Sequence, residues 1–378
     1  MSRDSRRPMK AYVGPVRVSR ASAFDGKGRA AERRCAKIVR MTWLWRFVFL
    51  AVASLASGPC RAGPSCAGGV SGACYLAFEP PEAGGQLRYF ASLDPAASAA
   101  PTHALIALHG HARDANRVFD AALLAVRRGA RAGDTLVVAP LFQVDATRAE
   151  GCRTFGMPTA EVHDLQWTCT SWIEGGVSTN GARWGSFAAL DALVVELVRQ
   201  WPSLHTVTIA GFSAGAQMVQ HAIGFAAAAP PGVGLRYVVA DPGSWLYFDS
   251  VRPKAAQTGD CPNVNRWKYG TETLPTHLTR DALAARAHYA AADIHYLEGA
   301  LDSDAATGAA HRLLDTSCAA NAQGPFRLQR GLAYAGYDRA LLAPAKQRRV
   351  IVVPGCAHDV RCVFGSPAAR EALLGAPR

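Results

Sequence analysis

From position 87 onward the chain alternates short apolar runs of Val, Ile, Leu and Ala with longer segments of helical character. Runs at 87–93, 103–108, 135–140, 206–210, 237–240, 294–297 and 349–353 read as strands. Most are continuous rather than alternating, as expected for strands covered on both faces. Segments 116–128, 186–200, 214–228 and 367–374 read as helices. Strands interleaved with helices build an α/β architecture, a mainly parallel sheet with helices on both faces. Short links between several elements place residues 63–378 in one domain. Three stretches, 143–184, 246–290 and 303–346, are longer than ordinary connections in a compact domain, and such loops are usually functional. The first carries Trp167, Trp172 and Trp184, and the second begins beside Trp245 and Tyr247. The expectation is a lid over the carboxyl edge of the sheet, with Trp172 and Trp245 lining the pocket.

The front of the chain follows a different pattern. Arg33, Arg34, Lys37, Arg40 and Arg46 precede an apolar run at 47–56, and Gly58, Pro59 and Ala62 follow it. The run suits a signal-peptide core and is too short to span a bilayer. Residues 1–62 therefore read as a targeting segment cleaved after Ala62, with Met41 as an alternative start. The rival readings are an uncleaved anchor or a lipid on Cys60. The formal charge of +12 is concentrated there: residues 1–62 hold 14 Lys and Arg against 3 Asp and Glu, leaving 27 against 26 for residues 63–378. A body so near neutrality offers no basic surface for polyphosphate, which excludes nucleic acid as a partner. With the leader removed, no stable membrane span is expected.

Of 10 cysteines, Cys35 and Cys60 fall in the front segment. Among the other eight, Cys66 with Cys74, Cys152 with Cys169 and Cys356 with Cys362 are close enough in sequence to bridge in an oxidising compartment, leaving Cys261 for Cys318. No pair has the C-x-x-C spacing of a structural zinc site, so a structural zinc is not expected. The expected location is the periplasm or the exterior.

The strongest chemical signal is Gly211-Phe212-Ser213-Ala214-Gly215, set between a strand and a helix. That context places Ser213 on a strained turn above the sheet. A serine hydroxyl needs a base and a group to orient the base. His358, just past the last strand, is the expected base, with His311 as the alternative. The acid is Asp302, Asp304 or Asp241, each near the end of a late strand, and Asp302 is preferred. Asp359, adjacent to the histidine, reads as structural. The oxyanion donors are expected to be the backbone amides of Ala214 and of His111 or Ala112, on the turn after Leu108-His109-Gly110. His109 reads as a turn residue rather than a metal ligand.

These motifs, in this order from about Leu87 to about Leu374, resemble the α/β-hydrolase superfamily, and more loosely exported polyhydroxyalkanoate depolymerase-like and feruloyl-esterase-like serine esterases. The resemblance implies carboxylic-ester hydrolysis through an acyl-enzyme intermediate, on small-molecule or polymeric esters, without a cofactor. Two aspartates in the acid segment and the lack of an appended substrate-binding domain depart from that pattern. A serine peptidase or amidase on the same fold, and a non-catalytic binding protein, are the alternative functions.

Overall fold

The protein was studied as a computed structural model that describes residues 71–253, 261–306 and 310–375, together with 18–20, Cys66, Gly69 and Gly308. The expected signal core at 47–56 and the cleavage site at Ala62 lie outside the described residues.

The strands are β1 (Val18–Arg20), β2 (Tyr75–Phe78), β3 (Leu87–Ala91), β4 (His103–Leu108), β5 (Thr135–Leu141), β6 (Gln143–Val144), β7 (Gln166–Trp167), β8 (Thr206–Phe212), β9 (Gly234–Ala240), β10 (Asp293–Gly299) and β11 (Val350–Val353). Nine form the central sheet in the order β1-β2-β3-β5-β4-β8-β9-β10-β11, while β6 and β7 pair by themselves. From β5 to β11 all pairings are parallel, and β1 to β3 add an antiparallel edge. The α/β class and every strand read from the sequence are present. Strands β1 and β2 are additions, and β1 falls within the segment read as a leader.

The helices are α1 (Ala115–Arg128), α2 (Ser186–Gln200), α3 (Ala214–Ala222), α4 (Ala282–Ala291), α5 (Cys318–Asn321), α6 (Arg327–Tyr337), α7 (Val360–Gly365) and α8 (Pro367–Leu374). Alternate residues of the central strands β4, β5, β8 and β9 feed two cores. On β4, Ala104, Ile106 and Leu108 pack against α2, α3, α4 and α6, while Leu105 and Ala107 pack against α1, α7 and α8. Both faces are thus buried, which is why these strands carry no polar alternation. Helix α3 stops at Ala222 rather than 228; just beyond it Gly224 lies against Ala285 of α4, where a Cβ would meet the Ala285 backbone at 3.3 Å.

The long stretches are not simple loops. The second contains α4, and the third contains α5 and α6. Disulfides join Cys66 to Cys74, Cys152 to Cys169, Cys261 to Cys318 and Cys356 to Cys362, with Cα atoms 5.6 to 5.8 Å apart. Four such bonds belong to a protein matured in an oxidising compartment. Among the described residues no helix is long and apolar enough to cross a membrane.

The order of strands reverses between β4 and β8, since the chain runs outward from β4 to β5 and later resumes on the other side at β8. Ligands in open α/β sheets bind at the carboxyl ends of the strands beside such a reversal. Leu108 is paired with Gly211 there, so the turns that follow β4 and β8 are neighbours.

Candidate active site

Ser213 follows β8 and begins α3 with φ 58° and ψ −120°, a left-handed backbone that a non-glycine residue adopts only when the fold imposes it. The flanking glycines permit that turn. A Cβ at Gly211 would overlap the carbonyl of Gly215, and one at Gly215 would meet the carbonyls of Leu108 and His109 at 2.5 Å. The turn holds the Ser213 side chain at the mouth of a cleft of about 440 Å³.

The imidazole of His358, on the segment between β11 and α7, reaches this hydroxyl: Nε2 lies 2.8 Å from Ser213 Oγ. The opposite ring nitrogen, Nδ1, lies 2.7 Å from Asp302 Oδ2. Asp302 follows β10 and is buried, its other oxygen accepting from Arg327 Nη1 of α6 at 3.2 Å. The carboxylate thus fixes the tautomer with the proton on Nδ1, leaving Nε2 free to accept from the hydroxyl. Burial holds the His358 pKa below its ordinary value; Asp302 opposes that effect, while the Arg327 charge reinforces it. The ring is therefore a neutral base near pH 7. Phe212 packs on it at 4.7 Å between centroids.

The other acid candidates make no hydrogen bond to the imidazole. Asp304 is exposed and accepts from the amide of Ala306. Asp241 is fully buried, and its Oδ1 accepts from the amide of Gly299 at 2.8 Å. Asp359 caps α7 through the amides of Arg361 and Cys362. His311 rests against Phe326. Donor atoms of Asp241, Asp302 and His358 fall within 4.8 Å of one another, as in a metal site. Asp302 is engaged by His358 and the Arg327 guanidinium and Asp241 Oδ1 by the Gly299 amide, while Asp241 Oδ2 is buried without a hydrogen-bond partner.

The turn after β4 is rigid. Fully buried His109 donates from Nδ1 to the carbonyl of Gly110 at 2.9 Å and accepts at Nε2 from the amide of Phe142 at 3.3 Å. Burial pushes its pKa down to about 4, so it stays neutral. Asp114 accepts from the Gly110 amide. Among the described residues, the amides of His111, Ala112 and Ala214 donate to no protein acceptor. All three residues line the cleft beside Ser213.

Each long stretch supplies part of the cleft wall. Glu174, Lys268 and Asp315 come one from each, and they meet: Lys268 Nζ lies 3.1 Å from Glu174 and 3.6 Å from Asp315. Two expectations need correction. Trp172 and Trp245 do not line the cleft. Both are fully buried, Trp172 stacked on Phe142 and against His109, and Trp245 stacked on Tyr334. The apolar bulk of the indoles belongs to the core behind the walls. The sequence reading also missed Arg327 and Gln217, which line the cleft. Gln217 could have been found from its place one turn beyond Ser213; Arg327 had no such signal.

Beneath the site lie two further acids. Burial and then the Asp302 charge push Asp241 up to about 7. Burial and then Asp241 raise Glu298 well above the carboxylate range. Gly331 of α6 makes room for Glu298, since a Cβ there would overlap its carboxyl group. A carboxyl whose folded pKa is raised stabilises the fold at low pH, and that stabilisation is lost as pH rises through the folded value. The buried His109 and His221, both near 4, act in the reverse sense, but their contribution is complete above their unfolded value of 6.5. In the range above about pH 7, beyond the Asp241 value, Glu298 is therefore the raised carboxyl whose proton is still to be lost. The melting temperature is expected to fall over that range in the wild type and to stay nearly level in Glu298→Gln. An equal slope in both would assign the effect to another group.

No family model matches the chain, and no curated protein matches its sequence. By structure it is similar to poly(aspartic acid) hydrolase-1 from Sphingomonas sp. KT-1, with a TM-score of 0.55 and 20% identity over 79% of this chain and 97% of that one. It is likewise similar to LpqC, the poly(3-hydroxybutyrate) depolymerase from Bordetella parapertussis, with a TM-score of 0.53 and 18% identity over 78% of this chain and 87% of that one. These similarities, together with the parallel sheet and the strained serine turn after β8, identify the chain as an α/β-hydrolase fold protein.

Proposed function

We propose that the protein is an exported serine hydrolase that cleaves carboxylic esters through an acyl-enzyme intermediate. The observation that carries this reading is the unbroken run of hydrogen bonds from Asp302 through His358 to Ser213, at 2.7 and 2.8 Å. In the reaction Ser213 Oγ attacks the ester carbonyl while His358 Nε2 takes its proton, and Asp302 stabilises the imidazolium. The new oxyanion is met by the amide of Ala214 and by that of His111 or Ala112, held ready because nothing else engages them. The imidazolium then protonates the departing alcohol. Water, activated by the same nitrogen, releases the acid and restores the serine. Hydrolase names among the structural neighbours agree with this reading, and the four disulfides and the basic, apolar front segment support export to the periplasm or beyond.

The test is labelling of the purified protein with a fluorophosphonate probe, with the adduct located by mass spectrometry, alongside turnover of p-nitrophenyl esters and p-nitroanilides. The expected result is a single adduct on Ser213 and turnover of the esters. Turnover confined to the anilides would reassign the protein as an amidase. A folded protein that neither labels nor turns over either series would be a binding protein.

A further inference from the structure

Three glutamines are buried around the cleft, and two of them are fully committed to the fold. The Gln220 amide takes the amide of Leu246 at 2.8 Å and gives hydrogen bonds to the Leu246 carbonyl and the Tyr334 hydroxyl at 3.1 and 3.0 Å. Gln323 spans Trp245 in the same manner, at 2.8 Å on each side. Both pin the residues that follow β9.

Gln217 differs. Its backbone amide continues α3 by donating to the Ser213 carbonyl at 3.0 Å, but its side chain makes no hydrogen bond to any described residue. It is only 6% exposed, and it lines the same cleft as Ser213. Its Oε1 lies beside Gly243, 3.5 Å from where a Cβ would stand. Its amide atoms are not enclosed in the core without partners but face the open cleft, where a ligand group could take them over from water.

The cleft wall mixes charges: Lys268 is held between Glu174 and Asp315, and Arg117 and Arg312 also line the cleft. Gln217 offers a neutral donor and a neutral acceptor about one helical turn, roughly 5 Å, from the nucleophile.

Resting on the esterase reading above, we propose that Gln217 determines specificity: its amide hydrogen-bonds an uncharged hydroxyl or carbonyl group that the substrate carries close to the scissile bond. The cleft accordingly takes hydroxylated or otherwise oxygen-bearing esters in preference to alkyl esters of the same shape. A site built to hydrogen-bond a hydroxyl rejects a methyl in its place, because the methyl leaves the protein group unpaired.

The experiment compares kcat/KM for two isosteric pairs of p-nitrophenyl esters, lactate with isobutyrate and 3-hydroxybutyrate with 3-methylbutyrate. Each pair exchanges a hydroxyl for a methyl. Because intrinsic reactivity cancels, the quantity read is the hydroxyl-to-methyl ratio in the wild type divided by that in Gln217→Leu. Gln217→Met serves as a second variant with an unbranched side chain. The ratio is expected to fall by roughly 10- to 100-fold in at least one pair. An unchanged ratio in both pairs, with esters still turned over, overturns the role of Gln217 and leaves the esterase reading intact. Absence of turnover for every ester in the wild type overturns both.

Discussion

Ser213→Ala is expected to lower kcat on p-nitrophenyl esters by on the order of a million-fold, and His358→Ala by a similar factor. The two act as one unit, joined by the 2.8 Å contact between Nε2 and Oγ. The double variant should therefore be no slower than either single one, since neither residue contributes without the other. Residual turnover above that of water would come from the Ala214 and His111 or Ala112 amides and from binding alone. Steady-state assays on the three variants, with contaminating esterase excluded by fluorophosphonate titration, give the answer. Multiplicative losses in the double variant would show that the two residues do not share a proton transfer.

Asp302→Asn is expected to cost about 10⁴-fold in kcat with little change in the fold. The amide cannot hold the proton on Nδ1 in the same way, so Nε2 ceases to be a free acceptor. Asp304→Asn is expected to leave kcat within a factor of about two, because an exposed side chain that caps a turn has no route to the imidazole. These variants decide between two aspartates separated by one residue. If Asp304→Asn carried the large loss instead, the assignment of the acid would be overturned. Arg327 pairs with Asp302 at 3.2 Å among acidic neighbours. Asp241 and Glu298 both carry raised pKa values there, and the guanidinium opposes that rise in each.

The sequence made most of the sheet legible because its central strands are buried on both faces and read as apolar runs bounded by polar links, though β3 carries Arg88 and β10 carries His295 and Glu298. It made the serine turn legible because sterics leave no choice: Gly211 and Gly215 meet backbone wherever a side chain would go. Helix α6 was illegible for an equally physical reason. Its buried face is Arg327, Arg330, Gly331, Tyr334, Ala335 and Tyr337, spaced as a helix requires but opened by two arginines and a glycine. A search for apolar periodicity discards such a face. Those arginines are buried because they serve partners distant in sequence: Asp302 for Arg327, and for Arg330 the carbonyls of Gly243, Gly324 and Asp315. The tryptophans misled for the converse reason. Aromatic residues in a long insertion look like a binding surface, whereas here the indoles form the buried backing, and the cleft is faced with Glu174, Lys268, Asp315 and Gln217.

The order in which the site is assembled follows from its place in the chain. Ser213 and Asp302 lie on turns after β8 and β10, both made before β11, while His358 comes after β11, inside the short ring closed by Cys356 and Cys362. During synthesis the segment that carries the nucleophile is therefore made well before the one that carries its base. The carbonyl of Cys356 also accepts from the amide of Leu301, which ties the histidine segment to the segment that carries the acid. A chain made only through β10 lacks His358 and also Arg312, Asp315 and Arg327, which wall the cleft. The run of hydrogen bonds from Asp302 to Ser213 is closed only by the segment after the final strand.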